Sequence, residues 1–544
     1  MRIFKNILKE SANVNTVNNC FFKRSQLKVY HNTSYKYKSE NTITNDREIK
    51  IKNMNSSVLC IFSNMLLKEN IKNDFIWKKI ERRSYEIMDK FEVGDIASFL
   101  FCLSKIRYET NLYESFIPII KRKCEYFNTS NLAMLISTYS KRKKEDLIIL
   151  LKEELKKKVH TIYNVVEICM ILNALVKCKI YDENLFIKLS NIIVENIIHN
   201  HVHVRDICVI TYCYACISYK NMNFFKILSQ KIALLMDDVN LVDICRILYS
   251  YIRINKNFYH ILKLSVYKLG SVIEKSTVSD VINCVHFLPI LKEAVEAHND
   301  VTSNRNDFIH VDKEFNYNID YINLLNYVIN IFNEKLISYV NLLSANQISN
   351  LFYIYSRYNL FISFSKMNIF ISQIWNVKLT IELKIYVLYS LVILLKNYES
   401  NNNGLYNFDM LDINKIFIQE SRENFVDQKY KKNSTKFSNK YDYNEMKNSL
   451  LYCLKQWEDD INLFINNYDS CSIQDIIKIL NIFLILSHTR NSIIFNIRNY
   501  IIINYKNINE HNAYTLMFYF QKLNVINDDE DFTQILRSKI KSLK

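Results

Sequence analysis

Three histidines and three cysteines come closest to a metal-ligand pattern: His199, His201 and His203, followed by Cys208, Cys213 and Cys216. Imidazole and thiolate are both zinc ligands. Their order and the C-x4-C-x2-C spacing do not make a zinc knuckle, however, and within a helix only residues three or four apart share a face. Small buried thiols beside an exposed histidine turn account for the same residues, so no metal is assigned.

Acid–base and phosphate chemistry find less support. Asp206, Asp243 and Asp475 each stand just before an apolar run, where a carboxylate accepts backbone N–H groups and favours the positive end of a helix. Only three glycines occur (Gly94, Gly270, Gly404), far apart, so neither G-x-G-x-x-G nor a Walker loop can be written. The glycine-flanked serine elbow and the H-E-x-x-H zinc motif are also absent. No catalytic residue and no cofactor are expected.

Cationic residues offer the better chemistry. Lys121, Arg122 and Lys123 form one cluster; Lys141, Arg142, Lys143 and Lys144 form a second, and Lys156 to Lys158 follow. Arg205, Arg246, Arg253 and Arg357 recur around similar apolar segments, where clusters at one phase can line a surface that contacts phosphates. Tyrosines accompany them. Tyr212, Tyr214, Tyr249, Tyr251 and Tyr355 fall mostly in the apolar alternation and would fill gaps between helices; base stacking is the alternative, with Tyr214 and Tyr251 as its candidates.

The elements that must position these residues are helical repeats. RDICVITYCYACISYKN at Arg205 returns as DICRILYSYIRINKN at Asp243, EICMILNALVKCKIYD at Glu167 and DIASFLFCLSKIRYET at Asp95. QISNLFYIYSRYNLF at Gln347 and DIIKILNIFLILSHTRN at Asp475 repeat it again, with weaker copies at Asn131, Asp280, Lys384 and Asn512. The first apolar residues of successive units, Ile96, Leu132, Ile168, Ile207, Ile244 and Val281, stand 36 to 39 apart. Ile348 and Ile385, and then Ile476 and Ala513, are 37 apart. Such an interval holds two helices and their turns, and stacking buries an apolar face that one unit cannot bury alone. The expected fold is all-α: an α-solenoid of stacked two-helix repeats with a period of about 37 residues.

Composition agrees. Three glycines and two prolines in 544 residues leave little for the tight turns of a nucleotide-binding α/β domain or a β-sandwich. A net charge of +16 favours an anionic partner, RNA or an anionic lipid surface, although lysine-rich solvent faces also keep a long array soluble. Thirteen scattered cysteines, several at or near equivalent repeat positions (Cys102, Cys169, Cys208, Cys245, Cys284), read as buried free thiols of a reducing compartment. The longest apolar run, Ile385 to Leu395, is broken by Ser390 and too short to span a membrane.

Along the chain, residues 1–39 carry eight cations against the single acid Glu10, and Ile3, Phe4, Ile7 and Leu8 lie on one side of a cationic helix. This matches a mitochondrial transit peptide and predicts a matrix location. Residues 40–90 form a helical N-terminal cap, and 91–397 the main array with a polar insertion near 297–318. A low-complexity flexible insertion covers 398–448, and C-terminal repeats with a cap fill 449–544. Ser344 with Gln347, and Ser472 with Asp475, are predicted capping boxes.

These repeats, behind a basic leader, resemble the heptatricopeptide and octatricopeptide-like helical repeats of organellar RAP-domain and FAST-kinase-like proteins, including those of apicomplexan parasites. The resemblance covers roughly Phe91 to Asn397 and Leu450 to Val525. Pentatricopeptide repeats are a neighbouring alternative with a shorter period. After the unit at Asn512 only residues 524–544 follow, too few for the RAP module, so its nuclease chemistry is not carried over. The resemblance implies a non-catalytic mitochondrial RNA-binding protein that acts in mitoribosome structure or assembly, or in RNA processing and stability. Its partners would be organellar rRNA or mRNA together with mitoribosomal or RNA-processing proteins. The alternative is a protein-binding scaffold without direct RNA contact; a hydrolytic enzyme is the third reading.

Overall fold

The computed structural model describes residues 51–199, 202–254, 258–303, 317–358, 360, 371, 379–400, 417–419, 436–467, 471–524 and 530–541. The expected leader, His201, the core of the polar insertion and most of the low-complexity insertion lie outside the described residues. Those described form an all-α protein of many short stacked helices, a helical-repeat arrangement of solenoid type. The chain forms two compact units, Met1–Ser265 and Val266–Lys544.

In the first unit the helices come in pairs: α1 (Ser56–Lys68) with α2 (Asp74–Glu86), α3 (Val93–Ile106) with α4 (Leu112–Arg122), and α5 (Thr129–Arg142) with α6 (Glu145–Lys158). They continue as α7 (Val165–Cys178) with α8 (Glu183–His199), α9 (Val204–Cys216) with α10 (Met222–Leu234), and α11 (Leu241–Arg253); α12 (Tyr259–Lys275) begins in the first unit and ends in the second. The closest packing runs between α1, α3, α5, α7, α9 and α11 in turn, so these odd-numbered helices form one layer. The repeat markers Ile96, Leu132, Ile168, Ile207 and Ile244, and Leu59 at the matching register of α1, are all fully buried between them. That burial is what the apolar periodicity of the sequence encodes.

Asparagine opens most of these helices. The Asn128 side chain accepts from Asn131 N, that of Asn164 from Val166 N, and Asn240 forms a capping box with Asp243. The other ends repeat as well. Arg107, Lys143, Lys179 and Ser218 adopt left-handed φ of 54° to 61°, and the next residue's N–H bonds back to Leu103, Tyr139, Leu175 and Tyr214. Glycine normally fills this position because it lacks the Cβ that makes positive φ costly. Here three successive repeats place a cation there.

The second unit holds α13 (Val278–Val285), α14 (Phe287–Ser303), α15 (Tyr321–Ser338), α16 (Ala345–Tyr358) and α17 (Ile381–Ser400). It then adds α18 (Lys436–Asn466), α19 (Ile473–Leu486), α20 (Asn491–Ile503), α21 (Glu510–Lys522) and α22 (Glu530–Lys541). Helix α16 packs on α17, α17 on α19 and α19 on α21, with Ile348, Ile385, Ile476 and Ala513 buried at the equivalent register.

Segments read from sequence as loops differ in two respects. Strands β1 (Tyr317–Ile319) and β2 (Phe417–Gln419) pair antiparallel, Asn318 opposite Ile418, so the polar insertion and the low-complexity insertion satisfy part of each other's backbone. Helix α18 also starts at Lys436, inside the stretch expected to be flexible, because Met446 and Leu450 at helical spacing are buried. Both predicted capping boxes form: Ser344 N donates to Gln347 Oε1 at 2.8 Å, and Asp475 N to Ser472 Oγ at 3.3 Å. Ser472→Ala is therefore expected to lower the stability of the second unit by about 1 kcal/mol, read from urea unfolding.

Candidate nucleic-acid interface

Counting nine residues on from the buried marker of each odd-numbered helix gives Lys68, Lys105, Lys141, Lys177, Cys216 and Arg253. The C-terminal ends of α1, α3, α5, α7 and α11 thus carry one cation each at the same place. A shared local task explains part of this. Lys141 Nζ donates to Ser104 O at 3.2 Å and Ser104 Oγ at 2.9 Å, and Arg253 Nε to Ala215 O at 3.0 Å, in each case satisfying the last turn of the preceding helix in the layer. Positive charge is favoured there by the helix dipole.

The charges also act on one another. Burial lowers the Lys105 pKa, and Arg205, three helices further along the layer, lowers it again. Burial pushes Lys141 down to about 7, with Lys105, Lys177, Arg107 and Arg142 adding to the shift. Lys177 is held at about 8 by burial, reinforced by Arg246 and Lys105. Arg205 is likewise lowered by burial and then by Arg246. Lys141 is nevertheless exposed at the surface, and Lys105 and Lys177 are half-buried, so all three reach solvent. Five helices therefore bring Lys105, Lys141, Lys177, Arg205 and Arg246 into a field where cation repels cation, offset at Arg205 by Asp243 and Asp206. A bound polyanion would relieve that repulsion.

The sign of the pH dependence follows. An unfolded lysine titrates near 10.4, so between about pH 7 and that value the unfolded chain binds more protons than the folded one at these positions. These lysines make stability rise with pH most cleanly between about pH 7 and 8, below the range where unfolded cysteines ionise and the thiols of Cys102, Cys208 and Cys213, kept protonated by burial, oppose them; affinity for a polyanion should fall over the same range as Lys141 and Lys177 lose charge. Urea midpoints and oligonucleotide binding measured across about pH 6.5 to 8 would check the opposed trends; parallel trends would exclude them.

The cations selected from sequence scatter around this field. Arg246 is buried and paired with Asp243 at 3.1 Å, so it contributes charge without reaching a ligand. Arg205 is half-buried, and Arg253 exposed with its guanidinium 5.8 Å from the Tyr249 ring. Arg142 is committed to structure, ion-paired with Glu109, donating to Tyr108 O at 3.1 Å and lying over Tyr113. Lys144 pairs with Glu114 at 2.7 Å, and Lys123 Nζ donates to Phe91 O at 2.9 Å. Lys121, Arg122 and Lys143 are exposed. The run Lys156 to Lys158 is met by Asp182, Glu153 and Glu154, which removes it as an open basic surface. Arg357 lies in the second unit, exposed, at the register of Lys105.

The tyrosines sort differently. Seven residues after the marker, Tyr139, Tyr214 and Tyr251 are fully buried, and their hydroxyls donate to Tyr113 O (2.7 Å), Phe186 O (2.7 Å) and Phe225 O (3.2 Å) of the even-numbered helices. Tyr355 makes the corresponding bond to Asn333 Oδ1. Tyr214 and Tyr251 thus fasten one layer to the other, and no base can stack on them without opening the fold. The cysteines are core groups too. Cys208 and Cys213 are fully buried with thiol pKa values raised by burial, and Cys169 Sγ donates to Asp206 O at 3.4 Å. Among the described residues no three His, Cys, Asp or Glu side chains converge to hold a metal, and no helix is long and apolar enough to cross a membrane.

Lys105 and Lys177 stand apart from the charge runs of the sequence, and Lys141 lies within one, so local charge density does not single them out. Their signal was positional: nine residues after Ile96, Leu132 and Ile168, the same type recurs. Comparison with protein-family models finds no match to this chain, and comparison with curated proteins finds none either.

Proposed function

We propose that this chain is a non-catalytic, RNA-binding α-solenoid of two-helix repeats with a period of about 37 residues, whose first unit contacts phosphates along one layer of helices. The observation that carries this reading is the column Lys105, Lys141, Lys177, one cation at the same register of three successively packed helices, with Arg205 and Arg246 further along the same layer. A column with one cation per repeat suits a ligand with one charge per unit length. Left-handed Arg107, Lys143 and Lys179 add a second cation to each of the same three helix ends, where glycine would be easier on the backbone. The basic, acid-poor residues 1–39 favour an organellar, mitochondrial setting. Mitoribosome assembly or transcript processing would then supply the RNA.

Fluorescence anisotropy of the full chain with a labelled single-stranded RNA, over a salt titration, tests this reading. Binding that weakens steeply as salt rises is expected. An unchanged anisotropy at low salt would sink direct RNA contact.

A second reading, a protein scaffold, is favoured by the even-numbered layer. Ile149 on α6, Ile187 and Ile198 on α8, and Leu234 at the end of α10 are exposed apolar residues on that side. In that reading the chain makes no direct RNA contact, and the two readings rest on different layers of helices.

A further inference from the structure

Helix α16 carries two tyrosines with opposite fates. Tyr355 is fully buried and bonded to Asn333, whereas Tyr353, two residues earlier, is half-exposed on the face that also carries Arg357. The Tyr353 ring stacks on half-exposed Tyr386 of α17, with centroids 5.7 Å apart and planes 29° from parallel. Cations flank both rings. The Arg357 guanidinium lies 5.5 Å from the Tyr353 centroid and 6.0 Å from that of Tyr358, and it donates to the Tyr353 hydroxyl. Lys478 of α19 lies 5.3 Å from the Tyr386 centroid and pairs with Asp475 at 2.8 Å. Arg357 occupies the register that Lys105, Lys141 and Lys177 hold in the first unit.

From this cluster we propose that Tyr353 and Tyr386 form a stacking platform for the unpaired bases of single-stranded nucleic acid, with Arg357 placed for the adjoining phosphate. The proposal rests on the RNA-binding reading and assigns the second unit a different part of it. Fully packed tyrosines such as Tyr355 hide both ring faces, whereas this pair leaves aromatic surface at solvent beside positive charge. Stacking on aromatic rings next to cations is how proteins hold unpaired bases without regard to sequence. A base brings a flat π-face and a linked anion together, matching ring and guanidinium on one surface.

The test compares two labelled oligomers of equal length on the full chain: a single-stranded oligouridylate and an abasic sugar–phosphate oligomer. Wild type should favour the base-bearing oligomer by about tenfold or more. The Tyr353→Ala/Tyr386→Ala variant should lose that preference while binding the abasic oligomer as wild type does. Tyr353→Phe/Tyr386→Phe, which keeps both rings, should retain the preference. Equal wild-type affinity for the two oligomers would overturn the platform and leave phosphate binding standing. An alanine variant weakened equally toward both, or a phenylalanine variant behaving like alanine, would also overturn it. Binding of neither oligomer at low salt would overturn the RNA-binding reading itself.

Discussion

Replacing Lys105, Lys141 and Lys177 together with glutamine should weaken RNA binding by roughly two orders of magnitude, at about 1 kcal/mol for each lost charge-assisted contact. The salt dependence should change with it. Each phosphate contact on a single strand adds about 0.7 to the slope of log affinity against log salt, so three fewer contacts should flatten that slope by about 2. Stability should move the other way or not at all. The three amines are held below their ordinary pKa by burial and by neighbouring cations, so the folded state bears a cost for their charge that glutamine removes. Glutamine can also keep a hydrogen bond to the Ser104 carbonyl that Lys141 now makes. Anisotropy and urea unfolding of the same variant give both numbers. An unchanged salt slope would show that the column is not the phosphate-binding surface. Arg246 is the wrong residue for this experiment, because losing it would leave the buried Asp243 carboxylate unpaired and confuse folding with binding.

Tyr214→Ala is expected to destabilise the first unit by about 3–5 kcal/mol, the cost of emptying an aromatic site in a packed core. The ring is fully buried and meets Phe186, Tyr219 and Phe224 at centroid distances of 5.6, 4.9 and 4.6 Å. Tyr214→Phe keeps that packing and removes only the hydrogen bond that Tyr214 Oη donates to the Phe186 carbonyl at 2.7 Å, so about 1 kcal/mol should be lost. Because neighbouring repeats stabilise one another, the alanine variant should lower the urea midpoint of the unit rather than loosen one helix pair. A base-stacking tyrosine would behave in reverse. If Tyr214→Ala kept the urea midpoint and lost RNA affinity, the assignment of this ring to the core would be wrong.

Particular residues show how much was legible beforehand. The apolar marker of every repeat could be read from spacing, since Ile96, Leu132, Ile168, Ile207 and Ile244 are buried wherever the helices stack. Asp243 and Ser472 could be read as helix starts because capping is decided within four residues. Arg142, Lys144 and Lys156 looked like open phosphate contacts and are ion-paired with Glu109, Glu114 and Asp182, acids 26 to 33 residues away in sequence. Contacts across such distances leave no local pattern. Pairing of 317–319 with 417–419 was hidden for the same reason.

By itself the sequence determined the helices, their starts, the repeat interval and the excess of positive charge, because these depend on neighbours along the chain and on composition. Only the tertiary structure decided which charges face acids and which face one another. It separated Tyr214, locked into the core, from Tyr353, stacked at the surface, although both lie in the same apolar alternation. A column such as Lys105, Lys141 and Lys177 becomes a site when stacking brings equivalent residues of successive repeats within electrostatic reach. Coulomb repulsion depends on distance in space, and a one-dimensional pattern fixes that distance only once the helices are packed.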